Sequence, residues 1–360
     1  MSEKLAIPNL GNYTIALDSA VRAMGIEPWS STETSAYAME LGLRAAPDSL
    51  CLPFKAHLGH FIEADNAGCG HALMVNSVGS CRLTYYRGLI EKILKEMGRK
   101  IHVWGLGFDG IKPPVIRYFD PDMISFVKAI LLAVEKIKVI DTLEIAAWKT
   151  RPLEMNRGDT SHLLKRSLRE LAETNVKKEV RKLHSEFAKA FQNIPQDTSQ
   201  KPLRIGLVGE VSVLRDKTLN HHIEECLGHL GAEVRNFFLL GAELGNIFGI
   251  SVGGTKTHTR KYLAKTAKPW LNHPVGGHAL DSVAHTLLCA EKGFDAMVHL
   301  APAGCMPEVS VRPILSAISK EKNIPVLELS FDEHTSALGT LTRVEAFMDI
   351  LKTRRRKGLV

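Results

Sequence analysis

The residues of this chain with the widest chemical reach are its six cysteines, at positions 51, 69, 81, 226, 289 and 305. A thiolate is at once a nucleophile, a redox centre and a soft metal ligand. Three of the six recur in one kind of place. In "GFDAMVHLAPAGCMPE" (293–308) an apolar strand runs into Cys305, and Pro307 marks the first turn of a helix. In "CLPFK" (51–55) Cys51 likewise stands just before a helix-opening proline, Pro53. In "ALMVNSVGSCRLTYYRG" (72–88) Cys81 follows a strand and a turn and precedes a long helix. A thiol at a helix N-terminus faces unpaired N–H groups and the positive end of the dipole, which predicts a lowered pKa. Three such thiolates suit an anionic metal cluster, whose charge the helix ends help to hold. Zinc is a further option for thiols from remote loops. Without metal, the three are unrelated buried cysteines, and spacing alone does not decide between these readings.

The other three cysteines read as packing residues. Cys226 in "HHIEECLGHLG" and Cys289 in "HTLLCAEKG" take apolar positions inside helices, where a cysteine acts as a small hydrophobe. Cys69 in "NAGCGHALM" precedes a strand and so belongs at the opposite sheet end from Cys81. No CxxC pair occurs, which speaks against a zinc ribbon or a thioredoxin-like centre. Titratable groups gather near the same strand ends. Glu308 opens the helix after Cys305, and "SFDEHTS" sets Asp332, Glu333 and His334 side by side after a strand. Glu308, Glu333 and His334 are therefore candidates for proton transfer. Glu308 as a helix-start carboxylate and the others as a polar turn are the plainer readings. Lys55 and Arg82 neighbour Cys51 and Cys81, where they either screen a cluster's charge or cap solvent. Arg343 and Glu345 read as an ion pair at a helix end.

The elements that must position these groups follow from periodicity. Residues 1–120 alternate strand and helix, as do 201–360, whereas 121–200 is helical and ends in the linker "NIPQDTSQKP". The expected fold is α/β, with two doubly wound parallel-sheet domains and a helical connecting segment. In such sheets ligands bind beyond the carboxyl ends of the strands. No apolar run reaches the length of a membrane span and no secretory signal is evident, so the expected location is the cytoplasm, where disulfides are rare. The net charge of +7 owes most to the five Lys and Arg of "KTRRRK" (352–357), a solvated helix end, and no nucleic-acid recognition motif accompanies it. "GLVGEVSVLRDKTLN" (206–220) is not a Walker loop; it reads as an ordinary strand-to-helix loop before it reads as a phosphate site.

Longer stretches carry a family resemblance. "CLPFKAHLGHFIEA", "SCRLTYYRGLIEKIL", "GFDAMVHLAPAGCMPE" and "LELSFDEHTSALGTLTRVEAFMDIL" together resemble the 2-hydroxyacyl-CoA dehydratase superfamily, in its activase-related (CoA protein activase) branch. The resemblance runs from "NLGNYTIALDSAVRAMGI" to the final helix. It implies a cytoplasmic, oxygen-sensitive iron–sulfur protein, with Cys51, Cys81 and Cys305 as ligands of a 4Fe-4S or double-cubane cluster lying between two α/β domains. Three thiolates on a cubane leave one iron open to substrate. The implied partner is an ATP-hydrolysing activator carrying its own iron–sulfur cluster, with a homologous subunit or a second copy as a further one. The implied function is the dehydratase component, which uses a low-potential electron to form a ketyl radical from a 2-hydroxyacyl-CoA. A double-cubane reductase of small molecules and a non-catalytic electron relay are the alternatives. Relatives often read "GPCRFGYY" where this chain has "GSCRLTYY", so Ser80 and Thr84 replace a Pro and a Gly in the loop around Cys81.

Overall fold

The computed structural model describes residues 4–75, 81–106, 114–248 and 258–358. The turn read at 76–80, with Ser80, lies outside them. The first half runs β1 (Lys4–Ala6), α1 (Thr14–Ala23), β2 (Glu27–Trp29), α2 (Ala36–Ala45), α3 (Leu52–Asn66), β3 (His71–Val75), α4 (Leu83–Glu96) and β4 (His102–Leu106). The middle is helical: α5 (Pro114–Phe119), α6 (Met123–Thr150), a short 3-10 turn, α7 (Asp159–Glu173) and α8 (Lys177–Gln192). The second half runs β5 (Leu203–Gly209), α9 (Val211–Arg215), α10 (Ile223–His229), β6 (Ala232–Asn236), α11 (Leu240–Phe248), α12 (Arg260–Ala267), α13 (Ala279–Glu291), β7 (Ala296–Pro302), α14 (Met306–Glu321), β8 (Val326–Phe331) and α15 (Ala337–Arg356).

All strand pairings within the two sheets are parallel, in the orders β2-β1-β3-β4 and β6-β5-β7-β8. These are one topology used twice, as the α/β reading with two parallel sheets and flanking helices expects. The order reverses between β1 and β3 and again between β5 and β7, so each sheet has its ligand-binding switch point there. Cys81 follows β3 and Cys305 follows β7, the third strand of each sheet.

The core explains why strands rather than surface hold these loops. All seven residues of β7 are buried, a continuous apolar run interrupted by His299, as a central parallel strand requires. One buried cluster joins the second sheet to α6, α7 and α8, so the helical segment packs as a cover on that sheet. Two smaller clusters line the two faces of the first sheet. Two local readings change. The helical run 162–192 is two helices, broken at Thr174–Val176, where extended backbone lets the chain fold back. Cys226 is half-buried at the edge of the core, whereas Cys289 is fully buried.

Candidate functional site

The loops at the carboxyl ends of the two sheets lie against each other. Asn9, just past β1, donates to Asp216 past α9 at 2.7 Å. Lys55 on α3 meets Glu333 past β8 at 2.6 Å. Arg82 Nη2 lies 3.1 Å from Met306 Sδ, next to Cys305. At Gly304 the backbone is left-handed (φ +77°), and an added Cβ would come to 3.7 Å from Ser49 O and 3.8 Å from Cys51 Cα. The turn into α14 therefore rests on the start of α3.

Within this junction Cys51 is the N-cap of α3 and Cys305 the N-cap of α14, each followed by a proline in the first turn. Cys51 is close enough to each of Cys81 and Cys305 for the charges to act on one another. Cys51 Sγ lies 2.8 Å from Tyr86 Oη on α4, and the Tyr86 ring meets Phe54 edge-on at 4.7 Å. None of the six cysteines is paired in a disulfide. Among the described residues no three His, Cys, Asp or Glu side chains gather as they do round a single metal ion.

The thiols are not acidic, which corrects the expectation from their helix ends. Burial pushes Cys51 up to about 11 and raises Cys305 further still. Tyr86 and the N–H of Phe54 pull Cys51 down, and the N–H of Glu308 does so for Cys305, yet desolvation outweighs them. Glu210 adds to the rise at both thiols. Without metal the two thiols are protonated, and a soft cation that displaces those protons finds thiolates backed by two helix ends. Two thiols at helix starts, each with a backbone N–H behind it, are soft donors of the kind an anionic iron–sulfur group takes.

Glu308 is 1% exposed, and its Oε2 accepts from Ser282 Oγ at 3.0 Å and lies 2.8 Å from His299 Nε2. Its Oε1 and His299 Nδ1 have no hydrogen-bond partner, so a buried dyad stands behind Cys305. Glu333 is held by Lys55, which keeps its carboxyl below the usual range, and Lys55 is itself buried. His334 is exposed on the neighbouring turn, where its N–H donates to Asp332. Arg343 does not pair with Glu345 in the structure; it reaches the carbonyl of Glu328 at 2.7 Å. In the loop 206–220 the carboxylate of Glu210 accepts from Val213 N at 2.9 Å and so caps α9 itself, at the place a phosphate would need.

Sequence reasoning missed Glu210, Tyr86 and the dyad partner His299. Tyr86 meets Cys51, 35 residues before it, so no local spacing marked it. Glu210 and His299 carried no signal either, because Glu210 reaches the thiols of both sheet ends only after folding and a histidine inside an apolar strand reads as a core residue.

The family model of 2-hydroxyglutaryl-CoA dehydratase, D-component, matches residues 121–351. The match takes in the helical cover, the second sheet and Cys305, and leaves Cys51 and Cys81 ahead of it. No curated protein matches the chain. With well over half of its length so matched and two parallel sheets built on one plan, the chain belongs to the 2-hydroxyglutaryl-CoA dehydratase D-component family.

Proposed function

We propose that the chain is the iron–sulfur-bearing component of an activator-dependent dehydratase, with Cys51, Cys81 and Cys305 as cluster ligands. The observation that supports it most is the packing of the Gly304 turn, which leads into Cys305, against Cys51 at the start of α3, where an added Cβ would come to 3.8 Å from Cys51 Cα. Bound there, a 4Fe-4S cluster supplies one-electron chemistry at low potential. The chain's own residues do the rest. Tyr86 Oη, 2.8 Å from Cys51 Sγ, is placed to hydrogen-bond a ligating sulfur. Lys55, one turn along α3 from Cys51, is held by Glu333 of the facing sheet end and ties the two sides of the site together. Glu308, backed by His299 and Ser282, holds the first turn of α14 in place and keeps a carboxylate behind Cys305. His334, exposed at the rim, is the group placed to exchange protons with solvent.

The electron donor is an ATP-hydrolysing activator with its own cluster, and a homologous subunit or a second copy completes the assembly. The site of this chain lies in the cytoplasm in that reading. The pure chain is expected to turn over no ATP, since its sequence has no Walker loop and the start of α9 after β5 is capped by Glu210. Anaerobic mixing with the cognate activator tests this reading. Bleaching of the cluster's visible absorption only when activator and ATP are both present supports it. ATP turnover by the chain alone, or reduction independent of ATP, contradicts it.

A further inference from the structure

The second sheet holds a chamber that the thiol site does not use. Glu233, Arg235 and Phe237, alternate residues along and just past the edge strand β6, face it, as alternation along a strand requires. Helix α13 supplies His285, and Lys292 stands at its C-cap. The chamber lies on the flank of the sheet, under α11 and α12, and not at the crest where the cysteines stand. Its volume is about 330 Å³, near the lower end of the ~300–1,000 Å³ range of small-molecule sites. That is too small to take a coenzyme A thioester whole.

Its walls combine flat rings with polar groups that lack partners. The rings of Phe237 and His285 stack at 4.3 Å and 12°. His285 is 7% exposed, and its Nδ1 has no hydrogen-bond partner among the described residues. Other charged groups of the wall are already engaged. Arg215 holds Glu243 at 2.7 Å. Arg204 lies over the Phe294 ring at 4.3 Å and donates to the carbonyl of Lys292. Lys292 Nζ stands 3.3 Å from His258 Nε2. Arg235 is half-buried and, among the described residues, its side chain makes no hydrogen bond or close ion pair; Glu233 on the same strand face acts on it only through space. A half-buried guanidinium without a fork partner is an unmet demand for a planar anion.

We propose that this chamber binds a small aromatic carboxylate, its ring against the Phe237–His285 stack and its carboxylate on the Arg235 guanidinium. Burial keeps His285 neutral, with its pKa pushed down to about 4, so the ring faces the ligand without repelling Arg235 and still offers a hydrogen bond. The stack supplies apolar area and ring geometry, and the guanidinium supplies orientation.

Titrating the full-length chain with indole-3-carboxylate and with neutral indole, by calorimetry, tests this. The acid is expected to saturate one site per chain and to bind at least tenfold more tightly than indole. Arg235→Met is expected to bring the acid to within twofold of indole, and Arg235→Lys to fall between. His285→Leu is expected to weaken both ligands. Arg235→Met sits at a half-buried edge and keeps the test open where His285→Leu fails to fold, which circular dichroism reports. No saturable binding of the acid, equal affinity for acid and indole, or an Arg235→Met protein that still prefers the acid tenfold would each overturn the proposal.

Discussion

The hydroxyl of Tyr86 and the thiol of Cys51, 2.8 Å apart, are the smallest unit of the site that can be altered alone. Tyr86→Phe keeps the edge-on contact with Phe54 and removes one buried hydrogen bond. The expected cost is about 1 kcal/mol in urea denaturation, with the fold intact by circular dichroism. A loss several times larger means that the phenol supports more than the thiol. The sequence singles out the three thiols at helix starts through their flanking strands and prolines, because both signals are local. It does not reveal that the thiols are protonated. That depends on burial and on Glu210, which is 95 residues or more from Cys305 along the chain and beside it only after folding. Glu308 and Glu333 were visible as polar residues past strand ends, but their partners are His299, buried within the preceding strand, and Lys55, on a helix of the other sheet.

At the scale of elements, the aim of α3 is set by glycines. An added Cβ at Gly59 would lie 1.7 Å from Ala38 O, and one at Gly42 would lie 1.9 Å from Lys55 O, so α2 and α3 touch backbone to backbone. Gly59→Ala must drive the helices apart and shift the start of α3, with Cys51 at its N-cap. The expected loss is at least the ~1–3 kcal/mol of core overpacking, and it is measured by thermal melting with Gly88→Ala as control, since Gly88 has open space around it. A second element-scale test concerns Lys136 on α6, which is fully buried and donates to Ser19 Oγ on α1 at 2.6 Å and to the carbonyl of Ala172 on α7. Burial lowers its pKa from 10.5 to about 8. The folded state gives up this proton before the unfolded one, so stability rises between about pH 8 and 10.5 and is lost as pH falls through 8. Urea midpoints across that window should climb in the native chain, and Lys136→Met should flatten the climb. Helix and strand types were legible here because the periods are long and clean, whereas the break between α7 and α8 and the elements α11 and α12 were not. Their signals are short, and tertiary packing decides them.

For the whole molecule, the question is what holds the two sheets crest to crest. Part of the answer is the Lys55–Glu333 pair, with side chains 4% and 25% exposed, and part is Asp216, which accepts from Asn9 and from the backbone of Thr34. Breaking a buried pair leaves a charge unmatched and costs more than the pair contributes. Glu333→Gln is expected to lose about 1–3 kcal/mol, less than a fully buried pair because Glu333 is partly solvated. Lys55→Met combined with Glu333→Gln should recover part of it, as denaturation of the single and double variants would show. If Glu333→Gln is neutral, the pair does not clamp the junction. The α/β plan of each half was legible from the alternation of strand and helix. The facing of the crests was implied by the family resemblance alone and not by periodicity, because it rests on pairs such as Asn9 with Asp216, which are 207 residues apart.

The central claim is that Cys51, Cys81 and Cys305 hold one iron–sulfur cluster between the sheets. The direct measurement is iron and sulfide content with EPR after anaerobic reconstitution of the native chain, Cys305→Ser and Cys289→Ala. The native chain and Cys289→Ala are expected to load alike, with the alanine variant losing only about 1–2 kcal/mol of packing. Cys305→Ser should fold but lose most of its iron and its reduced-state EPR signal, since a hydroxyl is a poor ligand for this group. A Cys305→Ser protein with full iron and an unchanged spectrum would contradict the account and place the site elsewhere.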